Sequence, residues 1–224
     1  MAHSDKNIII TPNIGSTTAD PKIVFTGADA SIGPQNITVN VYPTNGGTLS
    51  FEGSAGQLFS VTNSLSGVIY SVNDVSGIPS IEVLDTGLIK LAQYSGNVVL
   101  GSGTDNAVDK LQVTGSSVFS GSVKETRIAM PANDINLLSG NYFTKTISGA
   151  TTLTVSNVPA SGTVATFILD LTNGGSAAII WWSGVKWTGG TAPTLTASGR
   201  DALGFYTHDG GTIWTGLLLG KDIK

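Results

Sequence analysis

Leu58-Phe59-Ser60-Val61-Thr62-Asn63 returns eleven residues later as Ile69-Tyr70-Ser71-Val72-Asn73-Asp74. In both copies large apolar side chains alternate with small polar ones, the period-two pattern of a strand with unlike faces. Short runs of the same kind follow at Ser80–Leu84, Leu88–Ala92, Val98–Leu100, Lys110–Thr114 and Ser117–Phe119, each bounded by Gly, Asn or Asp. Such even spacing predicts a meander or a quasi-repetitive stalk over 56–123, although two matched units fall short of the three a solenoid needs.

Upstream, residues 1–21 read as an arm. Thr11-Pro12-Asn13, Gly15 and Asp20-Pro21 interrupt any long element. The triplet Ile8-Ile9-Ile10 suits either a strand added to a neighbour's sheet or an edge strand of its own domain. Strands are expected at Lys22–Thr26, Asn36–Tyr42 and Thr48–Glu52, with Asn45-Gly46 as a hairpin turn because both central positions need positive φ. Arm and strands make up an N-terminal module, 1–55.

Downstream, Lys124–Arg127 is the densest charge cluster, and with Met130-Pro131 it predicts a linker or collar over 124–140, with Ile135–Leu138 as one helical turn. Residues 141–224 carry further strand patterns and all four tryptophans. From 164 to 171 the alternation places Ala165, Phe167, Leu169 and Leu171 on one face. Val164, Thr166, Ile168 and Asp170 take the other, which is free to meet a partner. The expected fold is all-β: short-stranded N-terminal and stalk-like modules followed by a jelly-roll-like β-sandwich knob.

Composition narrows the function. Charged residues are only 12% of the 224 against roughly 25% in ordinary soluble domains, which argues against helical bundles, while 40% hydrophobic content argues against disorder. Blocks 53–81 and 146–185 contain one charge each, Asp74 and Asp170. Surface so poor in charge is expected to be covered by other chains. The eleven Lys and Arg are scattered singly, so no nucleic-acid partner is expected. The longest apolar run, Ala177–Trp182, is too short for a bilayer span, and no membrane insertion or exported leader is expected. With no cysteine, thiolate chemistry and disulfides are excluded.

Motifs with chemical associations read mostly as turns. Val83-Leu84-Asp85-Thr86-Gly87 has the Asp-Thr-Gly of aspartic proteases but no second copy, and reads as a turn. Thr207-His208-Asp209-Gly210-Gly211-Thr212-Ile213-Trp214 resembles an Asp box with Ile213 in place of Thr, which implies a hairpin turn organised by Asp209, Gly210 and Gly211. His208 is the single internal histidine, and no Gly-x-Ser-x-Gly elbow accompanies it. Asp105, Asn106 and Asp109 within 101–109 could ring a Ca²⁺ but lack the EF-hand ligand run. No cofactor, resident metal or enzymatic activity is expected. Trp181, Trp182, Trp187 and Trp214 are the candidate receptor-facing residues, because sugar rings stack on indoles.

Ser4–Asn13 (SDKNIIITPN), Asp20–Phe25 (DPKIVF), Gly56–Leu65 (GQLFSVTNSL) and Gly77–Gly87 (GIPSIEVLDTG) together resemble virion structural and fibre-like proteins of marine cyanophages and related tailed bacteriophages. The C-terminal phrases Gly140–Gly149, Trp187–Gly190 and Gly199–Gly211 are similar to a module that ends several such proteins. The resemblance implies a virion location and carries over no catalytic residue. The expectation is a homotrimeric fibre or appendage, attached to other virion proteins through its N-terminal region and presenting its knob to a host-surface glycan or protein. The alternatives are a capsid decoration or cement protein and, third, a glycan-degrading tailspike.

Overall fold

Twenty β-strands and one short 3₁₀ turn form the regular structure in a computed structural model that describes residues 7–11, 22–29, 33–43 and 46–224; no α-helix occurs among them. The all-β class is as expected. The chain divides into two units, Met1–Val118 and Phe119–Lys224.

The first unit is built on one sheet of eight strands in sequence order: β1 (Asn7–Thr11), β2 (Lys22–Asp29), β3 (Gly33–Tyr42), β4 (Thr48–Gly53), β5 (Gly56–Thr62), β6 (Val68–Asn73), β7 (Pro79–Leu84) and β8 (Ile89–Leu91). Each pairs antiparallel with the next. Ile8-Ile9-Ile10 therefore lies in an edge strand of its own sheet, opposite Phe25, Val24 and Ile23. The remaining arm residues, 1–6 and 12–21, and Asn45 of the expected Asn-Gly turn lie outside the described residues. β3 and β4 do pair as a hairpin, closing at Tyr42 and Thr48.

No boundary follows residue 55. β4 and β5 are paired from Thr48↔Thr62 to Gly53↔Gly56, so the expected N-terminal module and the start of the expected stalk share one sheet. Past β8 the strands become sparse. β9 (Val98–Leu100) and β10 (Leu111–Val113) form a two-stranded parallel ladder, and Ser117–Phe119 forms no strand.

Register explains the eleven-residue repeat. Asn40, Ser50, Ser60, Ser71, Glu82 and Lys90 stand directly opposite one another from β3 to β8, as one polar row. The flanking rows point to the other face and are apolar: Val39, Phe51, Phe59, Val72, Ile81 and Leu91 on one side, Val41, Leu49, Val61, Tyr70, Val83 and Ile89 on the other. An offset of eleven aligns Ser60 with Ser71 across a hairpin, so what reads as a repeat is cross-strand matching.

The second unit contains β11 (Ile128–Ala129), β12 (Asp134–Asn136), β13 (Tyr142–Thr146), β14 (Thr151–Thr152), β15 (Thr154–Ser156), β16 (Ala165–Thr172), β17 (Ile179–Ile180), β18 (Val185–Trp187), β19 (Arg200–Thr207) and β20 (Trp214–Ile223). Six of them form a mixed sheet in the order β11-β13-β16-β19-β20-β18, antiparallel through β16, β19 and β20 and parallel outside them. The small parallel sheets β12-β15 and β14-β17 make the region sandwich-like.

Ala165, Phe167, Leu169 and Leu171 are all buried, as the alternation predicts, and pack with Phe143, Leu203, Phe205 and Trp214. Each buried Phe or Leu side chain among them contributes about 1.5–3 kcal/mol by leaving water. The expected linker at 124–140 is instead partly structural. Met130 and Ile135 belong to this core, and Ile135 is fully buried. Nor is 135–138 a helical turn: Asp134 accepts hydrogen bonds from the Thr154 and Ser156 hydroxyls, which fixes 134–136 as a strand beside β15.

Candidate functional site

Packing removes Trp214 from the expected receptor-facing set and leaves Trp181, Trp182 and Trp187 partly exposed. Trp214 is 1% exposed, meets Phe167 at 5.5 Å and stands at 89° to Trp182 at 5.9 Å. Trp181 and Trp187 lie 5.0 Å apart, and both also touch Phe205. Trp181, Trp182 and Trp187 are half-buried against the same core. A sugar ring needs an open indole face, and Trp214 has none. These rings pack as one aromatic cluster with Phe167 and Phe205.

The Asp209 segment is a closed turn. Its carboxylate accepts the Ile213 amide at 3.0 Å and the Thr207 hydroxyl at 2.8 Å, while Gly210 and Gly211 take φ of 71° and 82°. The Ile213 amide and the Thr207 hydroxyl hold the Asp209 carboxyl below its usual range. Trp214 packs directly after the turn, so these residues anchor β20 to the core. His208 is exposed at the tip.

Asp105, the central acid of the possible Ca²⁺ loop, is occupied by protein donors. The Gln112 side-chain amide, the Ala107 backbone amide and the Asn97 side-chain amide all point at it and lower its pKa. Asp109 accepts from Asn106 at 2.7 Å. Among the described residues no group of three or more His, Asp or Glu is placed to hold a metal. Asp85 likewise makes a turn, accepting the Gly67 amide at 2.9 Å while Gly87 takes φ of 80°.

What remains is the sheet of the first unit, whose burial is inverted. Its buried side chains among the described residues are Thr48, Ser50, Ser60, Ser71 and Glu82, every one polar, whereas the buried apolar residues all lie between Met130 and Trp214. A roof of side chains explains the polar face. Gln57 donates to Ser50 at 2.9 Å, Asn40 donates to Glu52 at 2.6 Å, Asn73 donates to Gln57 at 3.0 Å, and Lys90 pairs with Glu82 at 3.6 Å.

The apolar face has no such cover. Val41, Leu49, Val61 and Ile89 are exposed along one of its rows. Phe51 and Phe59 stack at 4.2 Å yet remain half-buried. Beyond β8, Leu100, Leu111 and Val118 are 51%, 60% and 90% exposed, and Phe119 and Val123, in the second unit, continue the trend at 69% and 67%. Eighteen large apolar side chains of residues 22–118 are exposed among those described. They are spread over strands, turns and the β9–β10 ladder; the exposed row Val41, Leu49, Val61 and Ile89, with half-buried Phe51 and Phe59 beside it, is the part that shares one face of one sheet. The low charge of 53–81 is the sequence signal for this surface, but it does not say which face is involved.

No protein-family model, curated protein or solved structure matches this chain.

Proposed function

We propose that the protein is a non-enzymatic structural component of an assembly, of the kind in which identical chains bury their sheets against one another. More particularly, it serves as a homotrimeric fibre or appendage protein of a tailed-bacteriophage virion. The observation that carries this reading is the inverted burial of the first unit: a sheet with a sealed polar face and an open apolar face completes its core only with other chains.

Three copies around a threefold axis can turn their apolar faces inward, each covering the next. The strand-poor stretch 101–127 suits the same arrangement, since extended chain with exposed Leu111, Val118, Phe119 and Val123 can intertwine with its copies. The resemblance of the phrases Ser4–Asn13, Gly56–Leu65 and Gly77–Gly87 to fibre-like virion proteins suggests the location, and the second unit, which has its own core, would be the outward knob that touches the host surface.

Size-exclusion chromatography with light scattering tests the assembly. The expected mass is three times the 22.9 kDa chain. A clean monomer at micromolar concentration would overturn the proposal. Immunogold labelling of particles tests the location, with label on tail appendages expected and label on the capsid shell pointing to a decoration protein instead.

A further inference from the structure

Asp170 is the one charge in 146–185, and it lies on the sheet face opposite the core, yet it is 5% exposed. Strand register explains why. Tyr142 on β13 stands opposite Ile168, and Arg200 on β19 stands opposite Thr172, so both are diagonal neighbours of Asp170 on its own face. The Tyr142 hydroxyl donates to Asp170 Oδ2 at 2.6 Å, and an Arg200 guanidinium nitrogen lies 3.6 Å from the same oxygen. The other oxygen, Oδ1, is buried without any hydrogen-bond partner.

These residues line a groove of ≈ 570 Å³. Arg127, Thr144 and Lys145 also line it, Lys145 from the position that pairs with the core residue Leu171. Two arginines, Arg127 and Arg200, thus meet at one groove whose single carboxylate is already engaged on one side. Arg200 is half-exposed, and its 3.6 Å approach to Asp170 is an ion pair rather than a hydrogen bond, so its guanidinium retains free donors.

We infer that this groove binds an acidic sugar, such as a uronate residue within a surface polysaccharide. The ligand's carboxylate would be taken by Arg127 and Arg200, whose planar donors suit it. A ring hydroxyl would donate to Asp170 Oδ1 as Arg200 turns towards the ligand, giving that oxygen the partner it lacks. Hydrogen phosphate also carries a P–OH that can donate to a carboxylate, so inorganic phosphate is the control that separates an acidic sugar from a simple anion. The inference rests on the host-attachment reading of the second unit and supplies its ligand class.

The test is isothermal titration calorimetry of the full chain at about 0.15 M salt, where exposed charges are screened beyond about 8 Å. The probes are an oligoglucuronate, a neutral glucose oligomer of equal length, and inorganic phosphate. The oligoglucuronate should bind and the other two should not, and Arg127→Gln and Arg200→Gln, both at accessible side chains, should each weaken it about tenfold or more while leaving the circular dichroism spectrum unchanged. Equal binding of the neutral oligomer, equal binding of phosphate, no binding of the uronate, or undiminished binding by both variants would each overturn the inference. Light scattering on the same samples keeps the two readings apart. A trimer that ignores the uronate sinks the groove alone, and a monomer that binds it sinks the assembly alone.

Discussion

The hydroxyls of Ser60 and Ser71 meet at 3.0 Å across the β5–β6 hairpin, both buried on the polar face of the first unit's sheet. A single Ser→Ala change leaves the other hydroxyl enclosed without its partner, at a cost of about 1–3 kcal/mol. Replacing both removes the need for a partner, so the double variant should lose clearly less than the sum of the singles. Urea unfolding of Ser60→Ala, Ser71→Ala and the double variant, at one fixed chain concentration, measures this coupling. Strict additivity would show that the two hydroxyls do not depend on each other.

Val61, between exposed Leu49 and half-buried Tyr70 in the same apolar row, is the position where a charge should do most harm to assembly. A lysine there would place an ammonium in the chain–chain contact, where burying an unpaired charge costs several kcal/mol. Val61→Lys should shift the light-scattering mass towards the 22.9 kDa single chain. Lysine at exposed Ser80 on β7, which neighbours Ile81 and so points to the opposite face, should leave the mass unchanged. A Val61→Lys protein that assembles normally would place the contact elsewhere.

Period two in the sequence reveals that a strand has two faces but not which one is covered. On β16 the usual rule holds and Phe167, Leu169 and Leu171 face the core, so the reading from sequence is sound there. On β4 to β7 the rule inverts: small Ser50, Ser60 and Ser71 sink beneath Gln57, Asn40, Glu52 and Asn73, a roof that only register assembles. The same limit hides the groove. Arg127, Asp170 and Arg200 come from distant parts of the chain and meet because β13 and β19 flank β16, a parallel and an antiparallel pairing that no local pattern announces. Trp214 misleads for a related reason, since its role depends on the Phe167 and Phe205 rings it meets only after folding.

Gly216 on β20 faces the aromatic cluster so closely that a Cβ there would lie 2.8 Å from the Trp187 ring and 3.1 Å from Phe205. Both are rings in packed surroundings, so neither can yield by a simple rotamer change. Gly216→Ala should destabilise the second unit by about 1–3 kcal/mol through overpacking. It should also alter the tryptophan fluorescence and near-ultraviolet circular dichroism, because Trp187 must move relative to Trp181. Unchanged spectra would mean that the cluster is looser than its ring distances indicate.

Asp201 should make the second unit acid-sensitive. Fully buried at the start of β19, its carboxylate accepts the Thr196 amide at 2.6 Å, the Thr196 hydroxyl at 2.8 Å and the Asp222 amide at 2.9 Å. Burial alone would raise its pKa, but the amides of Asp222 and Thr196 and the Thr196 hydroxyl outweigh it and hold the carboxyl below the ordinary value. Asp209 is shifted in the same direction. A lowered folded-state pKa means that the unfolded chain takes up protons first as the pH falls. The stabilisation is therefore complete above the unfolded-state pKa of about 3.9 and lost as the pH drops through the still lower folded-state value. The thermal midpoint of the second unit should hold steady near neutrality and fall steeply from about pH 4 to about pH 2. Asp201→Asn, which cannot ionise, should start less stable at neutral pH and show a shallower acid slope. An acid slope identical to that of the parent protein would assign the sensitivity to other carboxylates.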